Sequence, residues 1–146
     1  MNLMFSVTFP AYHPRTGQPT GFVEKILDGT KKHTVRKNYN NWKRVDGKRV
    51  ALCVWEGKPY RSKAMPFATA ILHVDQIAGY DIIVGRPGVH FMRDILGEPF
   101  SWEEFSSDDG LSLDDFLSWF KNDKYALVGC ACLWFDNVQP VQGGGQ

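Results

Sequence analysis

The densest group of reactive side chains in the 146-residue chain is Gly29-Thr30-Lys31-Lys32-His33-Thr34-Val35-Arg36. If the chain enters a strand here, period-two alternation puts Thr34 and Arg36 on one face and His33 and Val35 on the other. Lys31 sits at the strand mouth, where its flexible stem leans toward Thr34. An ammonium, a hydroxyl and a guanidinium gathered in this way suit an anion or a carbonyl. Arg36 offers paired planar donors, Lys31 a mobile charge, and Thr34 a nucleophilic oxygen. Taken alone, a short Lys/Arg cluster reads more readily as a solvated basic turn.

A second group mixes rings with charge. Tyr39, Trp42 and Trp55 lie among Arg44, Lys48, Arg49, Lys58 and Arg61, stacking surfaces beside phosphate-seeking side chains that suit single-stranded RNA. Packing competes for the same residues. Trp55 alternates with Cys53 and reads as core, and His33 reads as packed behind the Thr34 face. Trp102, Phe105, Phe116, Trp119 and Phe120 also read as core. His13 and Arg15 read as loop residues rather than ligand contacts. The histidines show no His-x-x-x-His spacing and the cysteines no Cys-x-x-Cys, so neither a metal nor a cofactor is expected. Cys53, Cys130 and Cys132 are an odd number and predict reduced thiols in an intracellular, cytoplasmic protein.

The elements that would position these groups follow from pattern. Leu3 to Phe9 predicts a strand ended by Pro10, and Thr20 an N-cap for a short helix over 21–28 that stops at Gly29. Strands are expected at 32–37, 49–56 and 67–77, with a turn at Gly57-Lys58-Pro59 and a partner strand at Tyr60 to Lys63. A further short strand is expected at Asp81 to Val84. The polar stretch 38–46 reads as a loop. Ser101 and Ser112 each precede an acidic residue by three positions, the pattern of two capped helices, and Asp108-Asp109-Gly110 between them is a turn. Leu113, Phe116, Leu117 and Phe120 predict a helix over 113–121, and the apolar run 125–135 a central strand. One α+β domain over 1–140, a small mixed β-barrel of five to six strands with flanking helices, is expected, followed by a disordered tail at 141–146.

Composition is that of an ordinary globular chain: 43% hydrophobic, 14% aromatic and 23% charged. This excludes collagen, coiled coil and a disordered chain. No apolar run approaches the ~18 residues of a membrane span, and the first residues, MNLMFSVTFP, lack the pattern of a signal peptide. The net charge of +1 conceals a division: residues 1–63 hold 13 of the 17 Lys and Arg but 4 of the 16 Asp and Glu. Either one side of the molecule faces a polyanion, or its two halves attract each other.

Gly29-x-Lys31-x-x-x-x-Arg36, the helix before it, and the later Asp108-Asp109-Gly110-Leu111-Ser112 segment with Phe116 and Trp119-Phe120 resemble the ASCH family of PUA-like β-barrels. The resemblance covers nearly the whole chain and implies recognition of RNA or a modified nucleoside. One branch of that family removes the acetyl group of N(4)-acetylcytidine with a Lys, a Thr three residues later and a distant Glu. Lys31 and Thr34 fall on the first two positions. The Glu position falls on Asp109, one methylene shorter, with Asp108 adjacent as the alternative. The resemblance then implies that Thr34 attacks the amide carbonyl and that Lys31, its pKa lowered by Lys32 and Arg36, takes the hydroxyl proton. Asp109 would position the pair or relay a proton. Arg36, with Lys32, Tyr39, Trp42 and Arg61, would contact the nucleoside or RNA. A non-catalytic module for single-stranded RNA and a ribonuclease are the alternatives. The chain also carries an insertion at 79–100 relative to the compact hydrolases.

Overall fold

The computed structural model of the chain describes residues 1–58, 60–79, 82–83, 86–95, 97–120 and 127–141. In chain order the elements are β1 (Asn2–Met4), α1 (Phe22–Leu27), β2 (His33–Arg36), α2 (Tyr39–Trp42), β3 (Arg49–Trp55) and β4 (Ala64–Gly79). They continue with β5 (Ile82–Ile83), β6 (Arg86–Pro87), β7 (His90–Phe91), α3 (Trp102–Asp108), α4 (Leu113–Trp119) and β8 (Ala131–Pro140). The fold is mixed α+β.

The main sheet runs β1-β3-β4-β8-β2, with β7 added on β4, while β5 and β6 form a separate ribbon. Among the described strands only β1 and β3 are parallel, with Leu3 opposite Leu52; β3, β4, β8 and β2 are antiparallel neighbours. The long β4 serves two partners. Its first half pairs with β3 and its second with β8, and irregularities at Leu52/Cys53 and Thr69/Ile71 let it bend. The sheet therefore curls into a half-barrel. Its two edges come within reach of each other: Arg36 on β2 donates from Nη2 to the Met4 carbonyl at the end of β1, 2.5 Å away. That one guanidinium fastens the open seam. Inside, Ala68, Ala70 and Leu72 of β4 pack fully buried with Leu52, Leu133 and Phe5. Burying such an apolar set is the main stabilising term, at about 25 cal/mol per Å² of area removed from water.

Several expected boundaries move. The first strand stops at Met4, because residues 7–9 pair instead with 17–20: Phe9 N–H donates to the Gln18 carbonyl and Thr20 N–H to that of Val7. The cap of α1 is Gly21 in the left-handed region (φ 71°), not Thr20. The Thr20 hydroxyl donates to the Ser6 carbonyl and accepts a long bond, 3.4 Å, from the Phe22 N–H. The expected loop at 38–46 contains α2. The partner of β3 begins at Ala64 rather than Tyr60, since Tyr60 adopts φ 63° within a wider turn. The last strand starts at Ala131, after a turn with Gly129 at φ 81°, and extends to Pro140 because β4 continues to pair with it. Ser101 and Ser112 do cap α3 and α4, accepting from the Glu104 and Asp115 N–H groups at 3.1 Å. Within α4, Phe116 is buried but Leu117 is exposed, so the apolar stripe is narrower than expected. Ile82–Ile83 form the short strand expected near 81–84. Pro59, residues 81 and 84, residues 125–126 of the predicted last strand, and 142–146 of the expected tail lie outside the described residues. Among the described residues no helix is long and apolar enough to cross a membrane.

Candidate functional site

The site is built where the start of β2 meets the end of α3. Three successive carbonyls at that helix end accept from the basic segment: Asp108 from the Lys32 N–H at 2.6 Å, Asp109 from Lys31 Nζ at 2.6 Å, and Gly110 from Lys25 Nζ at 2.7 Å. Unpaired carbonyls at a helix C-terminus carry partial negative charge, so this is a favourable place for ammonium groups. Gly110 is required by both space and backbone. Its φ is +82°, and an added Cβ would stand 3.1 Å from the Cβ of Lys31.

Lys31 is 2% exposed. Its Nζ lies 3.4 Å from Asp109 Oδ1 and 4.4 Å from the centre of the Phe22 ring. Burial lowers its pKa to about 8; the Asp109 carboxylate pulls the other way and Arg36 adds to the lowering. About a tenth of such an amine is neutral at pH 7, far more than for an ordinary lysine. The expected contribution of Lys32 is replaced by desolvation: Lys32 is exposed and pairs at the rim with Asp108, 3.7 Å away. Of the two adjacent carboxylates, Asp109 is the one that reaches Lys31.

Thr34 is buried, and its Oγ1 accepts from Arg36 Nη1 at 2.9 Å. The expected lean of Lys31 onto Thr34 is not what the hydrogen bonds show. They join Lys31 to Asp109 and Thr34 to Arg36. Arg36 also reaches the Val35 and Met4 carbonyls and lies 5.3 Å from the centre of the Phe5 ring. Its guanidinium is thus largely committed to the protein. A hydroxyl that accepts from an arginine keeps its own proton free to leave.

All four side chains, Lys31, Thr34, Arg36 and Asp109, line one cleft of about 770 Å³. Its volume falls in the ~300–1,000 Å³ range of small-molecule sites. Residues 2–11 form a large part of its wall. Two aromatic groups complete it. Phe22, Trp119 and Phe9 follow one another from Lys31, with ring centres 5.7 and 5.6 Å apart. Trp42, Trp55 and Tyr60 form the other group, with the Trp55 and Tyr60 ring centres 5.2 Å apart and their planes tilted by 50°. Trp42 is therefore where the sequence expected a ligand-facing ring.

Other expected site residues stand elsewhere. Tyr39 packs half-buried against the core with Lys43 beside its ring, Arg61 is exposed, and neither they nor Lys32 line the cleft. Trp55, Trp119 and Phe120, read as core, contribute to the cleft wall. Tyr60 was missed; it lines the cleft while 89% exposed, with its backbone in the left-handed region. His13 and Arg15 tie the first loop to α4: His13 Nε2 lies 3.0 Å from the Asp115 carbonyl, and Arg15 pairs with the Asp115 carboxylate at 2.5 Å. Among the described residues no three His, Cys, Asp or Glu side chains gather as metal ligands. No protein family, curated protein or solved structure matches the chain.

Proposed function

We propose that this chain is a small PUA-like barrel of the ASCH kind whose cleft takes an acylated cytidine-type nucleoside and hydrolyses its exocyclic amide. The observation that carries the reading is the meeting of Lys31 and Asp109, 78 residues apart in sequence, in the same cleft as Thr34 and Arg36. A lysine with a pKa of about 8 is suited to take a proton near neutral pH.

In the proposed reaction, Thr34 Oγ1 attacks the acyl carbon while neutral Lys31 takes the hydroxyl proton. The carbon–nitrogen bond then breaks, and Lys31 returns the proton to the departing exocyclic nitrogen. Water hydrolyses the threonyl ester, releasing the acid and restoring the hydroxyl. Arg36 orients Oγ1 before attack, and Asp109 anchors the lysine between steps. Trp42, Trp55 and Tyr60 supply faces on which a base can stack. Removing a positioned base or nucleophile of this kind lowers rates by ~10²-fold or more. Incubation with N(4)-acetylcytidine therefore releases cytidine, and Thr34→Ala abolishes release while retaining the native circular-dichroism spectrum. Unchanged release by Thr34→Ala would contradict the nucleophile assignment.

The second reading, a binding module for single-stranded RNA, is supported by the same aromatic group beside exposed Lys43, Arg44, Lys58 and Arg61. It predicts RNA affinity without nucleoside cleavage.

A further inference from the structure

We propose that His33 is a positioning residue that holds the Asp109 carboxylate back from close contact with Lys31 and so keeps the lysine amine available as a base. The inference rests on Lys31 being the working amine of the proposed reaction.

The geometry is that of one oxygen shared between two donors. Asp109 Oδ1 lies 3.2 Å from His33 Nδ1 and 3.4 Å from Lys31 Nζ. Charge-assisted N–H···O bonds close to roughly 2.7–2.9 Å when nothing opposes them. Here the lysine's short bond, 2.6 Å, goes to the backbone carbonyl of Asp109 instead. The backbone of Asp109 is itself fixed, its N–H donating to the Phe105 and Ser106 carbonyls at 3.1 Å. The position of Oδ1 therefore depends on its side-chain partners.

His33 is built to hold that oxygen. It is 0% exposed, with Phe105 and Trp134 at ring-centre distances of 4.4 and 4.6 Å, so the imidazole has little room to rotate. Its Nε2 is buried with no hydrogen-bond partner among the described residues, leaving Nδ1 as the ring's polar anchor. The bond to a carboxylate requires the proton on Nδ1. The charged or titratable groups facing Lys31 are Asp109 at the end of α3, Arg36 on β2 and Cys132 on β8. Burial pushes the Cys132 thiol upward, so it stays uncharged, and Arg36 opposes a second positive charge. Of the charged groups, Asp109 then is the one that favours the ammonium, and its distance decides how strongly. Losing the His33 donor lets Oδ1 close on Nζ, which stabilises the charged form and raises the lysine pKa.

Trace acetylation of the full chain over a pH series, read by mass spectrometry, gives the titration midpoint of Lys31 without any turnover. The wild type should titrate near 8. His33→Phe, which keeps an apolar-compatible ring but no donor, should move the midpoint up by about one unit or more. His33→Asn, whose amide nitrogen can replace Nδ1, should remain near the wild type. A midpoint in His33→Phe that is unchanged or lowered overturns the proposal. In the wild type, imidazole 15N shifts should place a proton on Nδ1, and an unprotonated Nδ1 overturns it without recourse to a variant. Failure of nucleoside cleavage would contradict the proposed reaction and leave the Lys31 titration result untouched, so the two claims fail separately.

Discussion

Lys31 is the base of the proposed reaction, and its burial has a thermodynamic consequence. Its pKa falls from 10.5 to about 8 on folding, so between these values the unfolded chain binds more protons than the folded one. Stability then rises with pH across that window, and below pH 8 the cost of the buried charge is present in full. Relative to Lys31→Met, the wild type should gain on the order of 2–3 kcal/mol of unfolding free energy between pH 8 and 10.5, measured by urea titration. Equal slopes for the two proteins would show that the ammonium is not desolvated. Gly110→Ala acts on the same residue from the backbone side. A non-glycine residue in the left-handed region costs about 1–3 kcal/mol, and the crowded Lys31 side chain must also shift. That variant should unfold at lower urea and lose cytidine release.

Two elements carry the assembly, the β1–β2 seam and α4. Arg36→Met removes the donor to the Met4 carbonyl, a charged hydrogen bond worth roughly 1.5–3 kcal/mol. The amide of Phe5, bonded to the Cys53 carbonyl just beyond β1, should exchange with solvent tenfold faster or more in that variant. An unchanged rate would mean that the seam is held elsewhere. Ser112→Ala should cost about 1 kcal/mol through loss of the α4 cap. The sequence showed these elements unevenly. Capping serines and the alternation of 68–72 are local signals, and the structure follows them; 33–36 forms its strand but is buried on both faces. The end of the first strand at Met4 was not legible, because residues 17–20 compete with β3 for the backbone of 7–9. The start of the last strand was obscured for a similar reason: Leu127 and Cys130 are buried in or beside a turn, so apolar character marks burial there without marking extension. At the site, spacing grouped Lys31, Thr34 and Arg36 but did not by itself separate them from a solvated basic turn, and no local signal reports a contact between Lys31 and Asp109, 78 residues apart. Tyr60 escaped, since the expected strand at 60–63 gave no sign of a left-handed backbone there.

Across the whole molecule, the basic residues of the first half fall into two sets. Arg15, Lys25, Lys31 and Lys32 are spent internally, each bound to the segment 108–115. Lys43, Arg44, Lys58, Arg61 and Lys63 remain exposed. Single-stranded RNA held by that exposed set should weaken steeply with salt, each neutralised phosphate adding about 0.7 to the slope of log affinity against log salt. Cleavage of an uncharged nucleoside in the cleft should be nearly indifferent to salt. The measurement that bears most directly on the central claim is the pH profile of kcat/KM for cytidine release from N(4)-acetylcytidine. With Lys31 as the base, the rate should climb about tenfold per unit at acid pH and level off near pH 8. A profile already flat through pH 6 to 8, or no cytidine at any pH, would contradict the assignment of Lys31 as the base of an amidohydrolase.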